Sequence, residues 1–246
     1  MRLNTTTIKP KSTVIHWRRL DTSGSESALL SQTADGWTLS GHAVFLEEEQ
    51  SCGLRYEIEC NQEWQTQTVK VLGHIGTEPC DILIQLKNGS WTINGEPCPD
   101  VTGCVDIDLG FSPSTNLLPI RRLDLQTGQK EQVKAAWLKF PEMILVPLEQ
   151  SYTKQSESAY LYESRGGVFT ADLEVNRDGF VTVYPDLWEE ALPLGEQKRM
   201  EQEILSNVHL LWESIKEERK FSVELSEKIQ SFISCDLHEQ GELKNL

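Results

Sequence analysis

Along most of the chain, apolar and polar residues alternate one by one. Leu54, Tyr56, Ile58 and Cys60 alternate with Arg55, Glu57 and Glu59; Phe169, Ala171, Leu173 and Val175 alternate with Thr170, Asp172 and Glu174. Strand side chains point to opposite faces in turn, so a period of two predicts strands with one dry face and one wet one. Ser12–Leu20 reads as the first strand, with Ile15 and Trp17 on one face. Ala28–Ser31 and Gly36–Leu46 follow as a hairpin around Ala34-Asp35-Gly36. Gln65–Leu72, Ile82–Leu86 and Trp91–Ile93 continue, punctuated by Asn88-Gly89 and Asn94-Gly95. After Thr127-Gly128 come Val133–Phe140, Met143–Leu148, Tyr160–Tyr162 and Phe169–Val175, and Asp178-Gly179 turns the last of these into Phe180–Tyr184. Pro147 predicts an edge or a bulge. Roughly a dozen short strands at regular spacing, with no helix between them, predict a mainly β fold, an antiparallel β-barrel over residues 1–190.

The period changes after Pro185. Met200, Ile204, Val208, Leu211 and Ile215 lie at helical spacing, Leu205 and Trp212 widen the stripe, and charges fill the opposite face. A shorter run carries Leu225, Ile229, Phe232 and Ile233, with Ser222 as N-cap. Residues 191–246 are thus expected to form a C-terminal helical hairpin packed on the barrel, followed by a short polar tail.

The stretch from Cys104 to Leu125 breaks the monotony. Asp106 and Asp108 share one face of a predicted strand, and Val105, Ile107 and Leu109 the other. Gly110 to Asn116 have the composition of a tight loop. From Leu117 a second strand is expected, in which Arg121 alternates with Leu123 and Leu125 while Arg122 alternates with Leu118 and Ile120. Whichever face is buried, one arginine stands among apolar neighbours. A guanidinium cannot shed its proton, so it needs carboxylates, carbonyls or an anionic ligand. Asp106 and Asp108 are the nearest partners in sequence, and Arg121 is favoured as the inward one. The two aspartates can be read as anchors for that arginine. They can also be read as catalytic carboxylates, about 6.5–7 Å apart along the strand, a spacing compatible with acid–base work on a sugar.

The run P-S-T-N-L-L-P-I-R-R-L at Pro113–Leu123 resembles the signature of the bacterial putative glycolipid-binding protein family. Further blocks occur in the same order: Leu54–Trp64, Gly89–Gly95, the C-V-D-I-D-L segment, Glu149–Thr153 and Asp178–Pro185. The likeness spans most of Ser40–Tyr184; Ser114 and Leu117 depart from the pattern, which has an aromatic and a small or polar residue there. The resemblance implies an antiparallel, barrel-like domain and, from the family's name, a glycolipid ligand. It names no catalytic residue.

Composition narrows the classes. Against 23 Lys and Arg stand 38 Asp and Glu, a formal charge of −15, which argues against nucleic acid and against anionic membrane surfaces. No signal-peptide core or membrane-length apolar window is present, so a cytoplasmic protein without stable membrane association is expected. The six cysteines lack paired C-x-x-C spacing and read as reduced, buried residues. The five histidines form no metal motif; nucleophile elbows, phosphate loops and dinucleotide fingerprints are missing too, so no cofactor is expected. Aromatics including Trp17, Trp37, Trp64, Trp91, Trp137, Tyr56, Tyr152, Tyr160 and Tyr162 suit a packed barrel interior by default, and stacking on sugar rings or lining an acyl cavity as alternatives. The leading expectation is a binding protein taking an amphiphilic small molecule in a barrel cavity. Its candidate contacts are Asp106, Asp108, Thr115, Asn116, Arg121, Arg122 and Tyr152. The rivals are an enzyme acting on a sugar or polar metabolite through Asp106, Asp108, Arg121 and Arg122, and a non-catalytic scaffold.

Overall fold

The structure, a computed structural model, describes residues 12–217 and residue 230. Two compact units divide the chain, Met1–Ala191 and Leu192–Leu246. The first begins as a meander of eight strands: β1 (Ser12–Arg19), β2 (Gly24–Gln32), β3 (Gly36–Glu47), β4 (Gln50–Asn61), β5 (Thr66–Ile75), β6 (Glu78–Lys87), β7 (Ser90–Ile93) and β8 (Glu96–Pro97). It continues through β9 (Asp106–Leu109), a short helix α1 (Leu117–Leu123), β10 (Lys130–Lys139), β11 (Ile144–Ser156), β12 (Ala159–Ser164), β13 (Phe169–Val175), β14 (Val181–Tyr184) and β15 (Trp188–Glu190). All fifteen strands belong to one sheet, ordered β8-β7-β6-β5-β4-β3-β2-β1-β15-β14-β13-β12-β11-β10-β9. The first strand therefore pairs with the last, with Trp17 opposite Glu190 and Arg19 opposite Trp188.

The alternation in the sequence is the alternation in the sheet. In β4, Leu54, Tyr56, Ile58 and Cys60 are buried, and in β13 Ala171, Leu173 and Val175 are buried. The core is occupied by large side chains, with Trp17, Trp91, Tyr56, Tyr152, Phe111 and Phe180 all fully buried. Pro147 lies in a part of β11 that β12 does not reach, since their pairing begins at Gln150, so its missing N–H faces a free edge. The five described cysteines are free thiols, and all but Cys98 are buried.

Three expectations need correction. Residues 117–123 form a helix, not a strand. Pro119 sits at its third position, where an N–H would have no partner inside the helix anyway, so it does not break the turn. The helix serves a topological need: β9 and β10 run parallel, Asp106 opposite Ala135 and Asp108 opposite Trp137, and a parallel return requires a crossover rather than a hairpin. The sheet is thus antiparallel everywhere except at this pair. Nor does a ladder join its two ends among the described residues, so the sheet is not closed by hydrogen bonds into a complete barrel. The seam is bridged near Thr66, whose amide donates to the Val105 carbonyl at 3.3 Å and whose hydroxyl accepts the Ile107 amide at 3.1 Å. The Trp91 indole N–H adds a bond to the Cys104 carbonyl at 3.0 Å.

In the second unit α2 spans Leu194–Glu217. Met200, Ile204, Val208 and Leu211 are exposed along it. The second arm of the expected hairpin, Leu225 to Ile233, lies outside the described residues. No described helix is long and apolar enough to cross a membrane.

Candidate functional site

The loop from β9 into α1 stands at the carboxyl end of a parallel strand, and its Thr115 and Asn116 side chains are both employed. The Thr115 hydroxyl accepts the Leu109 amide at 3.2 Å. The Asn116 side-chain N–H donates to the Tyr152 oxygen at 3.0 Å, the Tyr152 hydroxyl donates to Gln150 Oε1 at 3.4 Å, and Gln150 Nε2 donates to Asp108 Oδ2 at 2.5 Å. Three links in one direction therefore end on a carboxylate and fix its orientation. Burial pushes Asp108 up to about 6, and the Gln150 bond only partly offsets this.

Asp108 and Asn116 line an open cleft of ≈200 Å³ whose walls are aromatic: Trp137 from β10, Tyr162 from β12, Phe169 from β13, Tyr184 from β14 and Trp188 from β15. Tyr162, Phe169 and Tyr184 meet edge to face or tilted at 6.0–6.2 Å. Arg165 lies over the Trp137 ring at 5.4 Å, and Ser164 adds to the polar lining. Gly110 is a requirement of this wall, because a Cβ there would lie 2.7 Å from Trp137 Nε1. Phe169, part of the cleft wall, is 37% exposed, and its chain neighbour Val168 is 84% exposed.

The arginine puzzle resolves differently from the strand reading. In a helix, consecutive side chains diverge by about 100°, so Arg121 and Arg122 serve separate places. Arg122, rather than the favoured Arg121, meets Asp106: Nε donates to Oδ1 at 2.9 Å and Nη2 to Oδ2 at 2.6 Å. Asp106 is fully buried, and burial holds its carboxyl above the ordinary range although the guanidinium pulls it down. Arg121 instead lies over Trp64 at 5.0 Å, in a different cleft. Of the seven expected contacts, Asp108 and Asn116 therefore reach the aromatic cleft. Tyr152 backs it through the hydrogen-bond chain, Thr115 shapes the loop, the Asp106–Arg122 pair is interior, and Arg121 faces elsewhere.

A second buried carboxyl is missing from the expected contacts. Glu26 accepts the Tyr56 and Ser112 hydroxyls on Oε1, each at 2.6 Å, while Oε2 has no hydrogen-bond partner. Burial raises it to about 7 against those two bonds and the pull of Arg19. A signal for it exists, because Glu26 lies in phase with Ala28 and Leu30 on the dry face of β2. Gly41 permits the arrangement: a Cβ there would sit 2.2 Å from the Tyr56 hydroxyl oxygen, blocking its reach across β3. Ser112 also lines the aromatic cleft, so this network buttresses the site from behind. Among the described residues no group of three or more His, Cys, Asp or Glu is placed to hold a metal.

The first unit is a single β sheet with a carboxylate in an open aromatic cleft. The sequence model of the family described as "Putative glycolipid-binding" matches residues 14–190, and the chain belongs to that family. Its structure is similar to a crystal structure of a DUF1089 family protein from Pseudomonas aeruginosa, with 27% identity and a TM-score of 0.56, covering 78% of this chain and 97% of that one. A beta-barrel-like protein of the domain of unknown function DUF1849 from Brucella abortus aligns at 11% identity and a TM-score of 0.45, covering 74% and 96%. No curated protein matches the chain.

Proposed function

We propose that the aromatic cleft binds the sugar headgroup of an amphiphile, with the apolar part of the ligand lying over the rim. The observation that carries this reading is Asp108, a carboxyl oriented by a three-link hydrogen-bond chain and lining a cleft walled by Trp137, Tyr162, Phe169, Tyr184 and Trp188. Aromatic faces pack against the C–H face of a sugar ring, while a carboxylate accepts its hydroxyls. At ≈200 Å³ the cleft is smaller than the 300 Å³ or so at which pockets begin to enclose a drug-sized ligand, so it suits a headgroup with the remainder left outside. The exposed Val168 and Phe169 offer that remainder an apolar surface at the mouth. Occupation of the core by Trp17, Tyr56 and Tyr152 argues against an acyl chain threading the interior. Binding is favoured over hydrolysis because the usual two-carboxylate scheme needs a second acid facing the same bond, and Asp106 is held by Arg122 away from the cleft lining.

The test is calorimetric titration of the full chain with octyl β-glucoside below its micellar concentration and with methyl β-glucoside. The octyl compound should bind more tightly, and Asp108→Asn and Trp137→Ala should each weaken it about tenfold, the equivalent of roughly 1.4 kcal/mol. Absence of saturable binding, or affinities unchanged in both variants, refutes the proposal. Release of free glucose during the titration, abolished in Asp108→Asn with binding retained, would favour the enzyme instead.

A further inference from the structure

A larger cleft of ≈490 Å³ lies between α1, the β11–β12 hairpin and the β13–β14 turn. We infer that it is a site for a phosphorylated polyol, its phosphate held by Arg121, Lys154 and Arg177. The inference is independent of the aromatic cleft, with which this one shares no lining residue.

The first ground is charge. Arg18, Arg19, Arg122, Lys130, Lys139 and Arg199 each form a salt bridge with a carboxylate. Arg121, Lys154 and Arg177 come from three separate segments, line one cleft, and among the described residues none of them forms such a bridge. Asp124 and Glu157 line it too, yet neither bridges any of the three cations. A carboxylate ligand would occupy one guanidinium; a phosphate dianion can engage a guanidinium fork and further point charges together. The two acids are then placed to accept hydroxyls of the polyol that carries the phosphate.

The second ground is the way Arg121 is held. Its guanidinium lies over Trp64 at 5.0 Å, and its aliphatic stem is pressed on Gly179, where an added Cβ would lie 2.9 Å from the arginine Cδ. Gly179 has φ +91, so the turn and the close approach both call for glycine. The side chain is thus clamped on two sides before any ligand arrives, which lowers the entropy lost on binding. Yet its Nε is buried with no hydrogen-bond partner.

The experiment titrates the full chain by calorimetry at low salt with glycerol 3-phosphate, inorganic phosphate and, as the neutral control, glycerol. In a parallel arm the protein is sedimented with phosphatidylcholine vesicles with and without phosphatidic acid. Variants are Arg121→Gln, Lys154→Gln at a half-buried position, Arg177→Gln at an exposed one, and Asp108→Asn from the other cleft. Glycerol 3-phosphate should bind more tightly than inorganic phosphate, and glycerol should not bind. Arg121→Gln should weaken the phosphate compound by about tenfold or more and the other two by several-fold, with Asp108→Asn unchanged. Binding in solution identifies a free phosphorylated polyol as the ligand; binding only to phosphatidic acid vesicles, lost in the same variants, identifies a lipid headgroup. No saturable binding in either arm overturns the inference, as does binding that Lys154→Gln and Arg177→Gln leave intact. Those two positions decide it even if Arg121→Gln disturbs the fold.

Discussion

Replacing Arg122 with leucine should destabilise the β unit by about 2–4 kcal/mol. The guanidinium makes two charge-assisted hydrogen bonds to Asp106, at 2.9 and 2.6 Å. Removing one member of a buried pair costs about 3–5 kcal/mol, because the other charge is stranded. Asp106 meets that condition at 1% exposure, but the Arg122 side chain is 22% exposed, so solvent already screens it and about 1 kcal/mol is discounted from that range. The loss should depend on pH. Burial holds folded Asp106 above its ordinary 3.8, and without the guanidinium nothing opposes that rise. A carboxyl that binds its proton more tightly when folded subtracts stability as pH climbs from the unfolded value through the folded one. The variant should therefore recover part of its loss on acidification, relative to wild type, and lose it again towards neutrality. Urea unfolding followed by tryptophan fluorescence at several pH values measures this. Asp106→Leu combined with Arg122→Leu should be more stable than Arg122→Leu alone, since no charge is left behind. A single variant within about 1 kcal/mol of wild type at neutral pH, or a double variant no better than the single, would refute the reasoning.

Three further outcomes are expected. With Asp108 held at about 6, sugar affinity should fall as pH drops through that value in the wild type and lose this dependence in Asp108→Asn, as calorimetry at pH 5 and 8 will show. Glu26 is raised from 4.5 to about 7, so its part of the stability falls as pH rises across that window, by about 1.4 kcal/mol for each tenfold gain in proton affinity on folding; Glu26→Gln keeps an acceptor for Tyr56 and Ser112 and should flatten that part of the melting-temperature profile. Gly41→Ala would force the Tyr56 ring off Glu26 and should cost about 1–3 kcal/mol in denaturant unfolding, whereas substitution at Gly89, with open space around its Cβ position, involves backbone strain alone.

The strands and most of their dry faces are legible in the sequence because burial of one face imposes a period of two on it. Tyr56, Ile58, Leu173 and Val175 carry that signal directly. What the sequence hides is local and non-local at once. L-L-P-I-R-R-L satisfies either period over so few residues, and the requirement for a helix comes from the parallel pairing of β9 with β10, which no local pattern encodes. That an arginine near residue 121 meets one of the two aspartates follows from the sequence, but the choice between Arg121 and Arg122 turns on the period, and the strand period selects the wrong one. The aromatic cleft assembles residues from several strands and loops; Trp188 and Asp108 are eighty positions apart and become neighbours only through the sheet order. Gln150, buried in phase with Leu148 and Tyr152, is open to the same reasoning that finds Glu26.

The pairing of β1 with β15 also sets an order of assembly. Nearly every other ladder joins neighbours in sequence and can form within its own hairpin, but this one closes a loop of about 170 residues and must await the end of the unit. During synthesis the open edge of β1, with its buried-face Ile15 and Trp17, waits without a partner until Trp188–Glu190 has left the ribosome. The first and last strands of the unit lie so close, with the Ala191 amide already bonded to the His16 carbonyl at 2.7 Å, that they could equally be joined and the chain reopened at an outlying turn such as Asn94-Gly95. In such a permuted chain the last ladder of the natural protein would become an ordinary hairpin, and the wait would move elsewhere.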